Sequence, residues 1–264
     1  MESEPLVSII MPAYNSQEFI KKAIISIQAQ TYKNWELFVI DDASKDSTVE
    51  EIEKLALNDP RINLIKNLTN RGAGVARNKG IEASGGRFIA FLDADDIWFP
   101  KKLSKQVNFM INNNLGMSYG SYRLISENGA VFPKGIEALP VLTFQKLLKS
   151  NYVGNLTGMY DVEKAGKILS PELRKRQDWA LWLSVLKKVG VARGIKEPLA
   201  AYRIRKDAIS GNKLSLLKFN FLIYKEFMGW DYLKSSLYMT RFLWEHFRVK
   251  NTQQKVLKEG SELF

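Results

Sequence analysis

The chain has no cysteine and a single histidine, His246, among its 264 residues. Without cysteine it cannot form a disulfide framework, a cysteine-based zinc site or a thiol nucleophile, and this composition fits a reducing compartment. One histidine far along the chain also argues against histidine-based acid–base chemistry.

Long apolar runs are also missing. No segment approaches the ~18 consecutive apolar residues that a membrane-spanning helix needs, so we expect no span. The first residues, Met1-Glu2-Ser3-Glu4, are acidic and do not resemble a secretory signal. With 45% hydrophobic residues, the chain can bury the core of one domain with a small appendage. We expect a cytoplasmic protein.

In the second half of the chain, acidic side chains are too few to balance the basic ones. The net charge is +11 at pH 7, yet residues 1–112 carry 14 basic and 15 acidic side chains. The whole basic excess therefore lies in residues 113–264. Such asymmetry indicates an anionic partner there: nucleic acid, a phosphorylated substrate or an anionic lipid surface.

The first half alternates strand and helix patterns. We predict strands at 6–11, 35–40, 62–65 and 88–92. One helix is predicted at 16–30, and a second begins at a capping box at 47–50. A third helix is predicted at 73–83, where Gly85-Gly86 stops it. Strands that alternate with helices indicate an α/β fold with a doubly wound, mostly parallel sheet.

Polar residues follow four of these strands at the predicted carboxyl edge of the sheet. They are Pro12-Ala13-Tyr14-Asn15, Asp41-Asp42, Asn70-Arg71 and Asp93-Ala94-Asp95. Open α/β sheets bind nucleotides at this edge. Asp93, Asp95 and Asp96 repel one another unless a cation lies among them, and carboxylates suit Mg²⁺ or Mn²⁺. A simpler interpretation is that they cap the helix after Pro100.

After residue 113 the pattern changes. Short strands near 116–124 and around Gly158 mix with helices near 143–149 and 178–188. Two further helices are predicted at 213–228 and 232–247, separated by Gly229-Trp230-Asp231. We expect one domain over residues 1–212, with halves 1–112 and 113–212, and a helical extension over residues 213–264.

Four motifs together resemble the family 2 glycosyltransferases. They are Val7 to Asn15 (VSIIMPAYN), Val39 to Ser44 (VIDDAS), Asn70 to Asn78 (NRGAGVARN) and Phe91 to Asp96 (FLDADD). Each motif alone is weak, but four in order on a matching frame of strands and helices are specific. The resemblance spans about residues 6–210. It implies a GT-A fold, an inverting mechanism and a nucleotide-sugar donor, most often a UDP-sugar.

The resemblance also implies which residues bind the donor. They are Pro12, Ala13, Tyr14, Asn15, Asp42, Arg71, Arg77, Asp93 and Arg205. Asp42 would accept the imide N–H of uracil, and Tyr14 would offer an aromatic face to the base. Alternatively, Tyr14 packs beneath the first helix, and Asp41 contacts ribose or caps a turn. Gly72 and Gly74 are expected only to permit a tight turn.

The acidic motif is the expected site of divalent metal binding. Asp95, with Asp93, would hold Mn²⁺ or Mg²⁺ against the donor diphosphate, and the resemblance puts the metal contact chiefly on Asp95. Arg71 and Arg77 would neutralise phosphate or the acidic cluster, or else form surface ion pairs. The segment Tyr202 to Ser210 resembles the one that closes over the donor. Its Arg205 replaces a histidine of many relatives, which makes a metal contact from this position doubtful.

Asp178 is the expected catalytic base. An inverting transfer needs one base to take the proton of the acceptor hydroxyl. Asp178 lies where similar enzymes carry that base in a Glu-Asp-aromatic motif, with Gln177 here in place of the first acid. The alternative is that Asp178 only caps its helix.

Basic residues recur every seven positions in the C-terminal helices. They are Lys218 and Lys225 in one helix and Lys234, Arg241 and Arg248 in the other, among many aromatic side chains. The pattern suits a helix lying on the anionic inner face of the cell membrane, where a lipid-linked acceptor would be found. A helix packed on the core with a solvated basic edge, and a homodimer contact, are the alternatives.

We therefore expect a non-processive hexosyl- or N-acetylhexosaminyltransferase that acts on a saccharide or lipid-linked saccharide in bacterial surface polysaccharide biosynthesis. Processive synthases of this family carry membrane spans and a Gln-x-x-Arg-Trp motif, and this sequence has neither. A sugar nucleotidyltransferase would want a glycine-rich, lysine-bearing loop after the first strand. The last alternative is a non-catalytic protein that binds an anion or nucleic acid. Because the sequence contains no recognition motif, we expect no nucleic-acid partner.

Overall fold

The computed structural model describes residues 4–171, 173, 175–205 and 213–256, with residues 213–216 in backbone only. The strands are β1 Val7–Ala13, β2 Trp35–Asp41, β3 Ile62–Lys66, β4 Phe88–Phe91, β5 Ile97–Trp98, β6 Met117–Ile125, β7 Val131–Ile136, β8 Val141–Thr143, β9 Met159–Asp161, β10 Val191–Arg203 and β11 Gln254–Val256. The α-helices are α1 Ile20–Gln28, α2 Thr48–Ala56, α3 Ala73–Ala83, α4 Lys102–Asn112, α5 Phe144–Leu147, α6 Val162–Ala165, α7 Gln177–Val189, α8 Lys213–Leu222 and α9 Tyr232–Trp244.

Short turns of other helix types extend these elements. A 3₁₀ turn covers Asn155–Thr157, π-helical turns follow α8 (Ile223–Phe227) and α9 (Glu245–Val249), and a 3₁₀ turn at Lys250–Gln253 leads into β11. The predicted boundary after residue 212 lies outside the described residues, as does the 206–210 part of the segment expected to close over the donor.

One sheet contains these strands, in the order β11-β7-β6-β9-β4-β1-β2-β3, with β10 paired to β5, β6 and β8. Strands β3, β2, β1 and β4 run parallel. Strand β9 is antiparallel to both β4 and β6. The predicted α/β fold with a mostly parallel sheet is confirmed, and the second half of the chain adds antiparallel pairs.

Both faces of the parallel strands β1, β2 and β4 are buried. Along β1, Val7, Ile9 and Met11 pack into the core beneath α1 and α4. Ile10 points to the opposite face and packs into the core formed with α3 and α7. The alternation follows from the period of two along a strand, and helices on both faces make the sheet doubly wound. This arrangement leaves the strand ends free for ligands.

Strand β1 runs two residues further than predicted. It continues through Pro12 to Ala13 and pairs with β2 over its whole length. Its pairing with β4 ends at Ile10, whose carbonyl accepts from Leu92 N. Pro12 lacks an N–H, but it lies beyond the last residue that needs a partner in β4, so the strand tolerates it.

Two predicted helix signals act differently from expectation. Ser47 occupies the N-cap of α2, but its side chain makes no capping bond; instead Asp46 Oδ1 accepts from Thr48 N. Helix α3 ends at Ala83 as predicted, yet Gly85-Gly86 is not a left-handed cap, because Ser84 is already extended. A Cβ on Gly86 would lie 2.7 Å from Ser8 N, so this glycine permits close approach of β1.

The two glycines at the start of α3 have separate roles. Gly72 is its N-cap with φ +90°, a left-handed conformation that favours glycine. Gly74 lies inside the helix, where a Cβ would be 2.9 Å from Gln177 Cγ. The expectation that Gly74 serves only a tight turn is therefore wrong: it lets the first turns of α3 and α7 touch.

The C-terminal helices pack against the same core as α7. Trp179 makes ring contacts with Tyr224 and Phe242, at centroid distances of 5.9 and 5.7 Å. Glu245 accepts hydrogen bonds from Tyr152 Oη and Lys146 Nζ. No helix in the described ranges is long and apolar enough to cross a membrane.

Candidate active site

The carboxyl ends of β1, β2 and β4 bring several predicted donor-binding residues to one edge. Asp42 N donates to Ala13 O at 2.8 Å, which joins the ends of β1 and β2. Asn15, with φ 45°, accepts from Lys45 N through Oδ1 and donates from its own backbone to Ser44 Oγ. Tyr14 is 44% exposed, so it does not pack beneath α1 and its ring is open to a ligand.

Asp42 organises the turn before α3. Its carboxylate accepts from Asn67 Nδ2 at 2.8 Å, from Arg71 N at 3.1 Å and from Gly72 N at 2.6 Å. These bonds hold the Asn70-Arg71-Gly72 turn against β2, and the Arg71 side chain projects outward, exposed. If Asp42 contacts the base as predicted, the base N–H must share the Asp42 carboxylate with these three donors.

Asp41 differs from its neighbour. Its Oδ2 accepts from Ser44 N at 3.1 Å, whereas Oδ1 is buried without a hydrogen-bond partner among the described residues. A buried acceptor without a donor is costly, and a ligand group can satisfy it. Of the two aspartates, Asp41 therefore keeps the free acceptor, consistent with the alternative of a ribose contact.

Two aspartates of the acidic motif each form an ion pair with an arginine. Arg77, buried in α3, donates from Nη2 to Asp93 Oδ1 at 2.6 Å. Arg205 donates from Nη1 to Asp95 Oδ2 at 3.3 Å. Arg77 was predicted to neutralise phosphate or the acidic cluster and Arg205 to bind the donor, and here each is next to a carboxylate.

Asp96, the third acid, faces inward. It is almost fully buried, and its Oδ1 accepts from Arg203 N at 2.8 Å. Burial, with the charges of Asp95 and Asp93, raises the pKa of Asp96 well above its ordinary value. The Arg203 guanidinium in turn donates to the carbonyls of Asp95 and Glu127. This pair fixes the acidic turn against the end of β10.

Asp93 and Asp95 fit a divalent cation. Burial, followed by the charge of Asp93, raises the pKa of Asp95 above its ordinary value. A cation between the two would favour both charged forms and offset their repulsion. No group of three or more potential metal ligands occurs within the described ranges. Two carboxylates suffice for an ion whose other ligands are waters and substrate phosphates.

Asp178 lies in the first turn of α7, where Arg176 occupies the N-cap. The alternative that Asp178 only caps the helix is therefore wrong. Its Oδ2 accepts from Asn151 Nδ2 at 2.8 Å. Arg77 connects it to the acidic motif: although burial opposes the charge, Asp93 and Asp178 together raise the pKa of Arg77.

A cavity of about 420 Å³ opens beside this site. It lies between the start of α3 and the start of α7, and its lining residues are Asn70, Arg71, Gly72, Gly74, Val75, Asn78, Pro171, Leu173 and Gln177. The cavity therefore adjoins both the turn held by Asp42 and the helix that carries Asp178.

Several residues of the site were not predicted. Phe19 lies under Arg203 and Arg205, with their guanidinium carbons 5.1 and 4.9 Å from its ring centroid. Asn151 contacts Asp178, and Lys250 donates to the Asn151 carbonyl at 2.7 Å. Nothing in the sequence near Asn151 or Lys250 marks them, since both reach the site only through tertiary packing.

Two solved structures share the fold of this chain. TarS residues 1–349 of S. aureus, in complex with UDP-GlcNAc, superposes with a TM-score of 0.70 at 20% identity, covering 93% of this chain and 74% of that one. The mannosyltransferase PcManGT of Pyrobaculum calidifontis, in complex with GDP-Man and Mn²⁺, gives 0.67 at 16% identity, covering 94% and 71%. The predicted GT-A fold is confirmed.

Curated relatives are closer in sequence. TuaG of Bacillus subtilis (strain 168), a glycosyltransferase whose name assigns it provisionally to teichuronic acid biosynthesis, is 39% identical over 233 residues, which are 88% of this chain and 92% of TuaG. WfgD of Escherichia coli, named UDP-Glc:alpha-D-GlcNAc-diphosphoundecaprenol beta-1,3-glucosyltransferase, is 41% identical over 214 residues, 81% and 83% of the two chains.

The family itself is identified by its sequence model. The model described as Glycosyl transferase family 2 matches residues 8–164, more than half of the chain. That range contains the acidic motif and the predicted donor residues except Arg205, and it ends before Asp178. The nucleotidyltransferase and non-catalytic alternatives are set aside. This chain belongs to the family 2 glycosyltransferases and is a glycosyltransferase.

Proposed function

We propose that this protein is an inverting, non-processive transferase that moves a sugar from a UDP-sugar to a lipid-linked saccharide in bacterial surface polysaccharide biosynthesis. The observation that carries the proposal is the position of Arg77, which pairs with Asp93 at 2.6 Å and also interacts with Asp178. One arginine thus links the donor-side acids to the proposed base.

The donor half of the site divides into two parts. Tyr14, Asn15, Asp41 and Asp42 would hold the nucleoside at the ends of β1 and β2. Asp93 and Asp95 would hold a divalent ion, which supplies Lewis-acid stabilisation to the leaving diphosphate when bound. Because Arg205 is paired with Asp95, its guanidinium is already positioned to neutralise a phosphate oxygen.

Asp178 would act as the only base of the transfer. As the acceptor oxygen forms a bond to the anomeric carbon, its proton passes to a carboxylate oxygen of Asp178 while the sugar–phosphate bond breaks. The hydrogen bond from Asn151 occupies Oδ2 and orients the carboxylate. One base and direct displacement invert the anomeric configuration.

The acceptor and the setting are proposed from the relatives and from α9. The name of WfgD specifies a diphosphoundecaprenol-linked acceptor for that enzyme. In this chain, Leu233, Leu237, Trp244 and Phe247 are exposed on or just after α9. Lys234, Arg241 and Arg248 are exposed beside them. An apolar stripe with basic flanks suits peripheral binding at the anionic inner face of the cell membrane.

Nucleotide release from a panel of UDP-, GDP- and dTDP-sugars, with and without Mn²⁺, tests the donor and the metal. We expect release from a UDP-sugar to require metal. Asp95→Asn should lower the rate at least about 100-fold, because the ion contributes several kcal/mol to stabilisation of the leaving group. Asp178→Asn should lower transfer about 10²- to 10⁴-fold, the usual contribution of a general base.

Asp59→Asn is the matched control. Asp59 pairs with Arg61 before β3, at the opposite edge of the sheet, so its loss should leave turnover unchanged. Normal transfer by Asp95→Asn would refute the metal assignment, and normal transfer by Asp178→Asn would remove that residue as the base. Product analysis by NMR completes the test, because retention of the anomeric configuration would contradict inversion.

A further inference from the structure

The C-terminal segment reaches the proposed base. Lys250 Nζ donates to the Asn151 carbonyl at 2.7 Å, and Asn151 Nδ2 donates to Asp178 Oδ2 at 2.8 Å. Lys250 opens the 3₁₀ turn that leads into β11, and β11 pairs with β7 at the edge of the sheet. The sheet therefore holds this lysine in place, so its position two hydrogen bonds from Asp178 is a built feature.

A second cation, Arg176, lies two residues before Asp178 in the sequence. Arg176, the N-cap of α7, has φ 68°, a left-handed conformation that is costly for a residue other than glycine. Its Nε is buried without a hydrogen-bond partner among the described residues. Backbone strain and an unsatisfied cationic donor at the same residue are typical of a position built for a ligand.

Among the described residues, the charges around Asp178 do not balance. Burial lowers the pKa of Lys250 to about 8, with a further lowering by Arg176 that Asp178 opposes. Burial likewise lowers the pKa of Arg176, against the charge of Asp178. Arg77 is nearby, but it is paired with Asp93. Within the described ranges, two cations thus lie near one carboxylate, and an anionic ligand would both balance the charge and satisfy the free donor.

We infer that Arg176 and Lys250 bind the diphosphate of a lipid-linked acceptor. The inference rests on the proposed function, because it needs Asp178 to face the acceptor hydroxyl. In a saccharide linked through its anomeric diphosphate, the first phosphate lies only one sugar ring from the hydroxyl that reacts. Cations beside the base are therefore within reach of it. The donor diphosphate has its own partners in Arg205 and in the metal expected at Asp93 and Asp95.

Two acceptors that differ only in charge test this site. One is N-acetylglucosamine α-linked through diphosphate to a short-chain alcohol, and the other is the neutral α-glycoside of the same sugar and alcohol. The readout is the ratio of kcat/KM for the charged acceptor to that for the neutral one. Arg176→Gln and Lys250→Met should each lower this ratio about 10- to 100-fold, mainly through KM, as expected for one lost charge-assisted hydrogen bond.

Conservative and control variants separate charge from structure. Lys250→Arg keeps the cation and should retain most of the ratio. Lys255→Met removes a lysine from the same segment, whose Nζ pairs with Glu137, and should leave the ratio unchanged. In the wild-type protein the ratio should fall as pH rises through about 8, where Lys250 loses its charge, and this fall should be absent in Lys250→Arg.

Four outcomes would overturn the inference. An equal loss with both acceptors would make the two cations structural, and a raised KM for the donor would assign them to the donor diphosphate. A wild-type enzyme that uses both acceptors equally well would remove the diphosphate site and leave the proposed function standing. Wild-type protein that releases no nucleotide diphosphate with any donor or acceptor would overturn both.

Discussion

Lys102 is fully buried in the first turn of α4, and its ammonium group has no hydrogen-bond partner among the described residues. The group lies 3.8 Å from the ring centroid of Trp98, a cation–π contact that offsets only part of the lost hydration. Burial accordingly lowers the pKa of Lys102 well below its ordinary value. The mechanism does not use this residue, so its cost falls on stability alone.

Replacement of Lys102 by methionine should therefore stabilise the protein. Methionine keeps the length of the side chain and removes the unsatisfied amine, so we expect the free energy of unfolding at pH 7 to rise by about 1–2 kcal/mol. Urea unfolding followed by circular dichroism measures the change. Lys101→Met is the matched control, because Lys101 is the exposed neighbour and its loss should change little.

The pH dependence checks the physical cause. Lysine in the unfolded chain has a pKa of about 10.4, and the folded value is depressed. Between these two values the unfolded chain binds more protons, so the stability of the wild-type protein should rise with pH there. The advantage of Lys102→Met should thus shrink as the pH is raised from 7 toward 10. A constant advantage would mean that packing, not the buried amine, is responsible.

Sequence motifs predicted the residues that lie at strand ends and missed those that arrive from far along the chain. Asp93, Asp95 and Asp178 are recognisable because each occurs in a local pattern with a chemical reason. Asp96 belongs to the same pattern but is buried against Arg203, a distinction set by the path of β10. No local sequence pattern marks Lys250, because its position near Asp178 depends on the path of the chain through α9 and the turn after it.

At the scale of elements, periodicity predicted the parallel strands closely and did not predict β10. That strand covers 13 residues, Val191–Arg203, and pairs with β5, β6 and β8. Its register against β6 shifts on either side of Pro198, which breaks the regular alternation that marks a strand. The α3 boundaries were predicted correctly, whereas the reason for Gly85-Gly86 was wrong.

The two glycines before β4 give an element-scale prediction. A Cβ on Gly86 would lie 2.7 Å from Ser8 N and 2.8 Å from Leu6 O, backbone atoms that cannot move without separating β4 from β1. Gly86→Ala should lower the free energy of unfolding by about 1–3 kcal/mol, on the scale of overpacking. In Gly85→Ala the nearest atom is Glu36 Oε1 at 3.6 Å, an ordinary contact.

Thermal unfolding of the two variants side by side measures this difference. Both remove a glycine from the same loop, and neither position has a left-handed φ, so backbone entropy affects them alike. We expect Gly85→Ala to melt with the wild-type protein and Gly86→Ala well below it. Equal losses would indicate that loop conformation, and not the close approach of β1, requires glycine here.

At the scale of the whole molecule, the aromatic side chains of the C-terminal helices divide into two sets. Tyr224 and Phe242 are buried against Trp179. Trp244 and Phe247 are 62% and 66% exposed. The expected alternatives of a helix on the core and a helix on a membrane are therefore compatible, since opposite faces of α9 serve them. The core fixes the orientation of the helix, and the exposed stripe faces away from it.

Binding to lipid vesicles tests this outward face. We expect the protein to co-sediment with vesicles of phosphatidylglycerol and much less with phosphatidylcholine, and binding should weaken with salt because Lys234, Arg241 and Arg248 contribute electrostatically. Trp244 is a natural probe, since Trp35, Trp98, Trp179 and Trp182 are fully buried and Trp230 packs against Tyr224 and Tyr238. Its fluorescence should shift to the blue on binding, and Trp244→Phe should remove most of the shift.

A pair of double variants separates lipid contact from general surface hydrophobicity. Leu233 and Leu237 are 85% and 51% exposed on α9, whereas Leu57 and Leu68 are 86% and 100% exposed elsewhere. Leu233→Asn with Leu237→Asn should weaken vesicle binding at least about tenfold, because each buried leucine contributes roughly 1.5–3 kcal/mol. Leu57→Asn with Leu68→Asn should bind like the wild-type protein. Equal binding by both double variants would show that α9 does not meet the lipid.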